Sequence, residues 1–221
     1  MAGSTLAIDV VSDVVCPWCF IGKRLLETAI ALKPEIAVDV RFHPYLLNPW
    51  VPREGMSREA YLITKFGSVE NYNKNGDRII AAAASIGLSY ARDKIKRQPN
   101  TLDCHRLIYW AGQTDNSARM KQRLMALYFS EGGDLSDRDV LVKAAADCDM
   151  DPEQVREQLG SDQDIDLIEA EAKSAKEAGI DGVPCFIFGG LFAVSGAQPP
   201  RVLAQALERA AAELASRIAA E

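Results

Sequence analysis

The chain has 221 residues, and 48% of them are hydrophobic, which suits one large folded unit with a substantial core and is unlike a disordered chain. It carries 25 Lys and Arg against 31 Asp and Glu, a net charge of −6, and no basic stripe interleaved with aromatic residues, so a nucleic acid is not expected as a partner. No apolar run approaches the length that crosses a bilayer, which excludes a transmembrane role and a membrane partner.

The first elements in the chain are predicted to be a strand, a helix and a second strand. Residues 6–12 are rich in β-branched side chains, and residues 19 to about 32 have a helical apolar period that stops before Pro34. Residues 36–42 alternate apolar and polar side chains before Pro44. This β-α-β order implies a right-handed parallel crossover, the start of an α/β sheet.

The tetrapeptide Cys16-Pro17-Trp18-Cys19 lies between the first strand and the helix. Its spacing places both sulfur atoms on one face of the first helical turn, so a disulfide can form with little backbone movement. Cys16 is expected at the helix N-terminus, where free N–H groups and the helix dipole favour a thiolate, which makes it the candidate nucleophile. Cys19 is the candidate resolving thiol, and Pro17 suits the first helical position.

A zinc site, a structural disulfide and a haem attachment are the alternative interpretations of this cysteine pair. A zinc site needs a second close pair of ligands, but the other three cysteines are scattered singly and the chain has only two histidines. A haem attachment needs His directly after the second Cys, where this chain has Phe20. We therefore predict a redox-active dithiol and no metal.

Residues 55–179 are predicted to be helical, with no strand. Their helix starts are marked by capping residues and by one proline: Ser57, Ser68, Asn100, Asn116 or Ser117, Ser136, Pro152 and Asp162. The second of these helices is expected to end near Gly87, and the last at Gly179. The basic stretch 89–99 is interpreted mainly as a solvated surface loop.

Strand character returns after Gly179. Residues 185–188 and 191–195, joined by Gly189-Gly190, predict a β-hairpin, and residue 201 to about 220 predict a closing Ala-rich helix. Gly182-Val183-Pro184 stands directly before the hairpin. Proline is tolerated at the first position of a strand, and an X-Pro bond can be cis at modest cost.

The dithiol after the first strand, together with Gly182-Val183-Pro184 before the hairpin, resembles the thioredoxin fold. The helical stretch between the β-α-β and β-β-α halves resembles the DsbA branch, so the expected fold is α/β and thioredoxin-like, with a large all-helical insertion. Residues 1–54 and 180–221 would then form a discontinuous thioredoxin-like domain, and residues 55–179 the insertion domain. Finer segments resemble the FrnE-type subgroup: residues 16–23, 42–49, 100–106, 182–186 and 195–198.

The resemblance implies a protein disulfide oxidoreductase, acting as an oxidase, isomerase or reductase through a mixed disulfide with Cys16 that Cys19 resolves. In that family the proline at the position of Pro184 is cis and packs beside the dithiol, so Val183 and Pro184 would form a platform for an extended substrate. Trp18 and Pro17 lie between the sulfur atoms, where they would tune the reduction potential or contact substrate. The direction of electron flow stays open.

Five further polar or thiol residues are assigned with less specificity. His105 is a candidate for proton transfer if it faces the cleft between the two halves, and His43 is a weaker one. Cys185 leaves its strand on the face opposite Pro184 and is expected in the core. Cys104 and Cys148 are interpreted as small buried hydrophobic residues.

Two other functions remain open. Kappa-class glutathione transferases and 2-hydroxychromene-2-carboxylate isomerases belong to the same branch, and there a serine replaces the first cysteine and glutathione supplies the thiol. This chain departs from them at Cys16, but glutathione remains a candidate co-substrate, with Asn48 and Val183 as candidate contacts. A non-catalytic peptide-binding module is the third possibility.

The expected partners are protein or small-molecule thiols and disulfides, and a homodimer is a further candidate. Met1–Thr5 lack the basic segment and apolar core of a signal peptide, so we expect a cytoplasmic location. In that compartment a catalytic disulfide is more common than a structural one.

Overall fold

The computed structural model describes residues 5–220, so the predictions that involve Met1–Ser4 and Glu221 lie partly outside the described residues. In chain order the elements are β1 (Leu6–Ser12), α1 (Pro17–Ala31), β2 (Val38–Pro44), β3 (Met56–Ser57), α2 (Arg58–Phe66), α3 (Val69–Ala84), a 3-10 turn (Arg92–Lys94), β4 (Arg97–Gln98), α4 (Leu102–Gly112), α5 (Ser117–Ala126), a π-helical turn (Leu127–Glu131), α6 (Arg138–Ala146), α7 (Pro152–Gly160), α8 (Ile165–Glu177), β5 (Cys185–Phe188), β6 (Phe192–Ser195) and α9 (Pro200–Ala220).

Four strands form the main sheet in the order β2-β1-β5-β6. β1 pairs in parallel with β2, with Leu6 opposite Val38, and antiparallel with β5, with Val10 opposite Phe186. β5 and β6 form the hairpin. The predicted β-α-β and β-β-α halves are therefore confirmed, and β1 and β5, one from each half, are neighbours in the sheet.

Two hydrophobic cores meet at α1. One core packs the Leu6, Ile8 and Val10 face of β1 against α9, with Leu26 and Ala29 of α1 inside it. The larger core joins the opening turn of α1 to the helices between β2 and β5, and it includes both cysteines of the tetrapeptide. The dithiol consequently lies where the sheet half and the helical part of the chain meet.

The prediction that residues 55–179 contain no strand is wrong. Met56–Ser57 pairs antiparallel with Arg97–Gln98. A strand of two residues leaves no periodic pattern in the sequence, which is why it was not predicted. This pairing also corrects the interpretation of residues 89–99, because Ile95 and Gln98 are buried and only part of the stretch is surface.

Helix boundaries shift by a few residues from their predicted positions. Asp137, not Ser136, caps α6 and accepts a hydrogen bond from the backbone N–H of Asp139. Thr101 is the residue before α4, while the Asn100 side chain accepts from the N–H of Leu102. α8 begins at Ile165, three residues after the predicted start. Adjacent Ser, Asp, Asn and Thr residues compete for these positions.

No helix within residues 5–220 has both the length and the apolar character that a membrane span requires. The division of the chain into a discontinuous domain and an insertion domain stays a prediction.

Candidate active site

The turn between β1 and α1 holds Cys16 at the helix N-terminus. Cys16 has an extended backbone (φ −84°, ψ 114°) and is the residue before α1, with Pro17 at the first helical position. Its N–H donates to the carbonyl of Asp13 at 3.3 Å, and its own carbonyl accepts from Cys19 and Phe20. The Cys16 side chain does not cap the helix, so its sulfur is free to react.

The two thiols differ in acidity. The pKa of Cys16 is lowered, chiefly by a hydrogen bond from the Cys19 thiol and also by the N–H groups of Cys19 and Trp18, against opposing effects of burial and of Asp13. Burial and the proximity of Cys16 raise the pKa of Cys19 well above its ordinary value. Both cysteines are free thiols and are buried. The pair is therefore an acidic thiol supported by a protonated neighbour.

The segment before β5 packs directly against the dithiol. The Val183–Pro184 peptide bond is cis, as the resemblance implied. The Cys16 sulfur lies 3.6 Å from the Val183 carbonyl oxygen. A Cβ atom on Gly22 would lie 2.8 Å from Cγ of Pro184, so only glycine allows α1 to approach this closely. This contact fixes the position of α1 relative to the Val183 backbone.

A cavity of about 390 Å³ opens above Cys16. Its floor is the dithiol turn and Gly182-Val183, and its wall is formed by Leu47 and the helices α2 and α3. The lining residues are Val15, Cys16, Pro17, Trp18, Leu47, Arg58, Tyr61, Lys65, Phe66, Tyr72, Ile79, Gly182 and Val183. Cys19 is absent from the lining. Of the two sulfur atoms, that of Cys16 is thus the one on the cavity side.

A second groove, of about 560 Å³, shares Arg58 and Tyr72 with this cavity but contains no cysteine. Its other lining residues include Glu59, Arg92 and Lys96. Of these two cavities, the smaller one reaches the dithiol, so we treat it as the candidate substrate site.

Three buried titratable groups lie behind the dithiol: Asp13, His105 and Lys121. Asp13 accepts from the N–H of Leu47 at 2.8 Å. Nε2 of His105 lies 3.4 Å from Oδ1 of Asp13, but neither atom makes a hydrogen bond of good geometry. Nζ of Lys121 donates to the Ser12 carbonyl at 3.2 Å. α5 thus supplies a buried cation next to the end of β1.

These groups influence each other and the thiols. Burial lowers the pKa of Lys121 to about 8, while the charges of Cys19 and then Asp13 have the largest opposing effects. Burial raises the pKa of Asp13, but His105, the Leu47 N–H and Lys121 outweigh that effect and lower it. The pKa of His105 is lowered by burial despite Asp13. The cluster is therefore a carboxylate, a neutral imidazole and an ammonium group.

The remaining predicted residues are placed as follows. His105 is buried and reaches Asp13 rather than the open cavity. Asn48 is buried beside the cavity wall, where its Oδ1 accepts from Lys65 and its Nδ2 has no partner. His43 bridges Asp9 and Glu171. Cys104, Cys148 and Cys185 are buried, as expected.

Sequence reasoning missed the apolar and aromatic residues of the cavity wall and four charged residues of the site: Asp13, Arg58, Lys65 and Lys121. One of them left a signal. Lys121 stands among the buried positions Met120, Leu124 and Met125 of α5, on the apolar stripe where a charged residue is unusual. Among residues 5–220, no group of three or more His, Cys, Asp and Glu side chains is arranged to hold a metal ion.

Comparison with known proteins places this chain in a family. Residues 7–208 match the DSBA-like thioredoxin domain. The structure of a probable DsbA oxidoreductase from Streptomyces coelicolor is 30% identical with a TM-score of 0.85, covering 93% of this chain and 89% of that chain.

Two further solved structures share the fold at lower identity. A 2-hydroxychromene-2-carboxylate isomerase is 14% identical with a TM-score of 0.70, covering 95% of this chain and 98% of that chain. The cytosolic disulfide reductase DsbM from Pseudomonas aeruginosa, solved with GSH, is 16% identical with a TM-score of 0.63, covering 96% of this chain and 98% of that chain. With its thioredoxin-like sheet, its helical segment and a match spanning most of its length, the chain belongs to the DSBA-like thioredoxin domain family.

Proposed function

We propose that the protein is a thiol-disulfide oxidoreductase in which Cys16 and Cys19 form the redox couple. The observation that carries the proposal is the asymmetry of the pair: Cys16 has a lowered pKa and lines the cavity, whereas Cys19 has a raised pKa and does not. An acidic thiol that lines the cavity is the better nucleophile, and the protonated Cys19 thiol can act in the second step.

In the reductive direction, the Cys16 thiolate attacks one sulfur of a substrate disulfide. A Cys16–substrate disulfide forms, and the other substrate sulfur leaves as a thiolate. Cys19 then loses its proton and attacks the Cys16 sulfur, which releases the second substrate thiolate and leaves a Cys16–Cys19 disulfide. Two electrons pass from the dithiol to the substrate. The reverse sequence oxidises a substrate dithiol, and the direction depends on the reduction potential.

The residues around the couple have distinct proposed roles. Val183 and Pro184 align an extended substrate beside Cys16, supported by the 3.6 Å distance between the Cys16 sulfur and the Val183 carbonyl. Trp18 and Pro17 are half-buried and form part of the cavity lining beside Cys16, where they would contact substrate. His105 is a candidate for proton transfer, and because it is buried against Asp13 it would act on Cys19 through the buried cluster.

Glutathione is the candidate co-substrate, and the cavity fits it in part. Arg58 and Lys65 suit its carboxylates, and the unpartnered Nδ2 of buried Asn48 lies beside Lys65. The lining offers no carboxylate for its ammonium group. A glutathione-dependent isomerase remains the second candidate function, supported by the shared fold of the isomerase and by this polar wall.

Insulin reduction by dithiothreitol, followed by turbidity, tests the proposal. The wild-type protein is expected to accelerate precipitation, and Cys16→Ser to abolish the acceleration. Cys148→Ala, which changes a buried cysteine outside the cavity, is the matched control and should behave as wild type. Equal activity of Cys16→Ser and wild type would contradict the proposal.

The isomerase candidate is tested in parallel with the same variants. Isomerisation of 2-hydroxychromene-2-carboxylate that requires added glutathione, without insulin reduction, would favour that function instead. Peptide binding that survives in Cys16→Ser, with neither activity in the wild type, would indicate a binding module. The cytoplasmic location and a homodimer remain predictions.

A further inference from the structure

The cavity above Cys16 carries two cationic side chains and no carboxylate, so the Cys16 thiolate is its one anionic group among the described lining residues. Arg58 and Lys65 both line it, and its described lining contains no Asp or Glu. Trp18, Tyr61, Phe66, Tyr72 and Ile79 supply most of the remaining wall, which is apolar and aromatic. The opening to the reactive sulfur is therefore positively charged and otherwise hydrophobic.

Arg58 lies in this wall without a counter-ion. Its guanidinium group donates to Gln98 Oε1 at 2.5 Å, to Tyr128 Oη at 3.1 Å and to Tyr72 Oη at 3.2 Å, all of them neutral groups. No carboxylate of the described chain lies within 4.0 Å of it, although most other arginines of this protein have one. A partly buried arginine held only by neutral partners keeps its charge available to a ligand.

Lys65 adds a second cation about two helical turns further along α2. Its amine donates to Asn48 Oδ1 at 2.5 Å and lies 5.7 Å from the centre of the Tyr61 ring. It likewise has no carboxylate partner among residues 5–220 within 4.0 Å. Arg58 lies 5.1 Å from the centre of the same Tyr61 ring, so both cations lie close to one aromatic side chain.

Two cations near the same ring and without an acidic partner repel each other, and an anion bound close to both would relieve that repulsion. Because the rest of the lining is apolar, the remainder of the ligand should be apolar or aromatic. A zwitterion such as glutathione is a poorer match, since no described lining residue is an acid that could pair with its ammonium group.

We propose that the Arg58–Lys65 wall selects low-molecular-weight thiols and disulfides that carry an anionic group on an apolar or aromatic body. This inference rests on the proposed function and names the substrate class of the same site. The anionic group would lie against Arg58 and Lys65, and the sulfur would lie at Cys16. Cys16 is only 5% exposed, which favours small substrates over folded proteins.

The test compares two aromatic disulfides of the same shape, para-carboxyphenyl disulfide and its neutral carboxamide. For each, kcat/KM is divided by the rate constant of reduction by free dithiothreitol, which removes the difference in intrinsic reactivity. We expect the wild-type protein to prefer the carboxylate by about tenfold, which corresponds to about 1.4 kcal/mol. Glutathione disulfide and insulin are assayed beside them.

Two variants test whether Arg58 and Lys65 cause the preference for the carboxylate disulfide. Arg58→Gln and Lys65→Met should each reduce it several-fold, with the loss confined to the carboxylate substrate. Lys65 also lies near enough to Cys16 to influence the thiolate, but a change in thiolate reactivity affects both disulfides equally and cancels in the ratio. Arg78→Gln and Lys74→Met change exposed cations of α3 outside the lining and should leave the ratio unchanged.

The outcomes separate the inference from the proposed function. If both disulfides are reduced at the same normalised rate, and the variants do not change the ratio, the inference is wrong and the oxidoreductase function stands. A higher normalised rate with insulin or glutathione disulfide than with the carboxylate would also overturn it. If the wild-type protein reduces none of these compounds, the proposed function itself fails.

Discussion

Lys121 and Asp13 are two buried residues of opposite charge, and both influence the dithiol of Cys16 and Cys19. The Lys121 amine reaches the carbonyl of Ser12 at 3.2 Å, and the carboxylate of the next residue, Asp13, is fully buried. Among the charges that raise the pKa of Lys121, that of Cys19 is the largest and that of Asp13 the second. A helix outside the thioredoxin-like part thus places a charge at the dithiol.

Replacing Asp13 and replacing Lys121 should shift the reduction potential of the Cys16–Cys19 couple in opposite directions. Asp13 raises the pKa of Cys16, so Asp13→Asn should lower it further, stabilise the reduced form and make the reduction potential less negative. Lys121→Met leaves the carboxylate unbalanced and should make the potential more negative. We expect about 30 mV in each direction.

Equilibration with glutathione buffers measures these potentials, and absorbance of the thiolate against pH measures the pKa of Cys16. The double variant Asp13→Asn with Lys121→Met is neutral at both positions and should return towards the wild-type potential. Shifts of the same sign in the two single variants would show that Lys121 and Asp13 act only through packing.

The contact between Gly22 and Pro184 should be sensitive to a single methyl group. Gly22→Ala places a Cβ atom 2.8 Å from Cγ of Pro184 and 3.2 Å from Cζ of Phe186. We expect a loss of about 1–3 kcal/mol in the free energy of unfolding, measured with urea. Gly160→Ala in α7 is the matched control, since nothing lies within 4 Å of its Cβ position. It should be neutral or slightly stabilising, and an equal loss in both variants would argue against the steric account.

Cysteine variants should separate attack from resolution. Cys19→Ser retains the nucleophile but cannot resolve, so incubation with an aromatic disulfide should leave a stable adduct on Cys16. Cys16→Ser should give no adduct at this site. Intact-mass spectrometry and peptide mapping measure the modification. An adduct carried by Cys104, Cys148 or Cys185 in place of Cys16 would contradict the assignment of the nucleophile.

The ion pairs of His43 should stabilise the fold in a pH-dependent way. Its side chain contacts Glu171 at 2.6 Å and Asp9 at 2.9 Å. The hydrogen bond to Glu171 is the largest influence on the pKa of His43, and with Asp9 it raises that pKa against the effect of burial. Because the folded pKa lies above the unfolded value near 6.5, the stabilisation is complete below about pH 6.5 and is lost as pH rises through the folded pKa.

Comparing wild type with His43→Asn by urea unfolding across this pH range tests the linkage. The wild-type advantage should be about 1 kcal/mol or less at low pH, since a third of the side chain is exposed. It should shrink as the pH rises. An advantage that is constant, or that grows with pH, would exclude this contribution.

Local sequence patterns were sufficient for the framework of the fold. β1, β2, α1 and the β5–β6 hairpin each have a regular apolar period or a turn of clear type, and each lies within two residues of its predicted position. The short β3–β4 pair has neither signal. Its existence depends on the tertiary contact between Met56 and Gln98, which are 42 positions apart in the sequence.

The sequence predicted those site residues that lie close together in the chain, and it did not predict those that come from distant helices. Cys16, Pro17 and Cys19 share one helical turn, so their spacing alone predicted their geometry. Arg58 and Lys121 reach the site from helices far along the chain, and no short-range pattern indicates which helix face will meet the dithiol. Likewise, the partner of His105 could not be foreseen, because Asp13 lies in a different element.

A redox titration with peptide mapping tests the central claim most directly. The protein is equilibrated in buffers of defined thiol-disulfide potential, alkylated, digested and analysed by mass spectrometry. The account predicts a single reversible two-electron transition in which Cys16 and Cys19 become linked to each other while Cys104, Cys148 and Cys185 remain alkylated. A Cys16 and Cys19 pair that stays reduced at every potential, or that links to other cysteines instead, would contradict it.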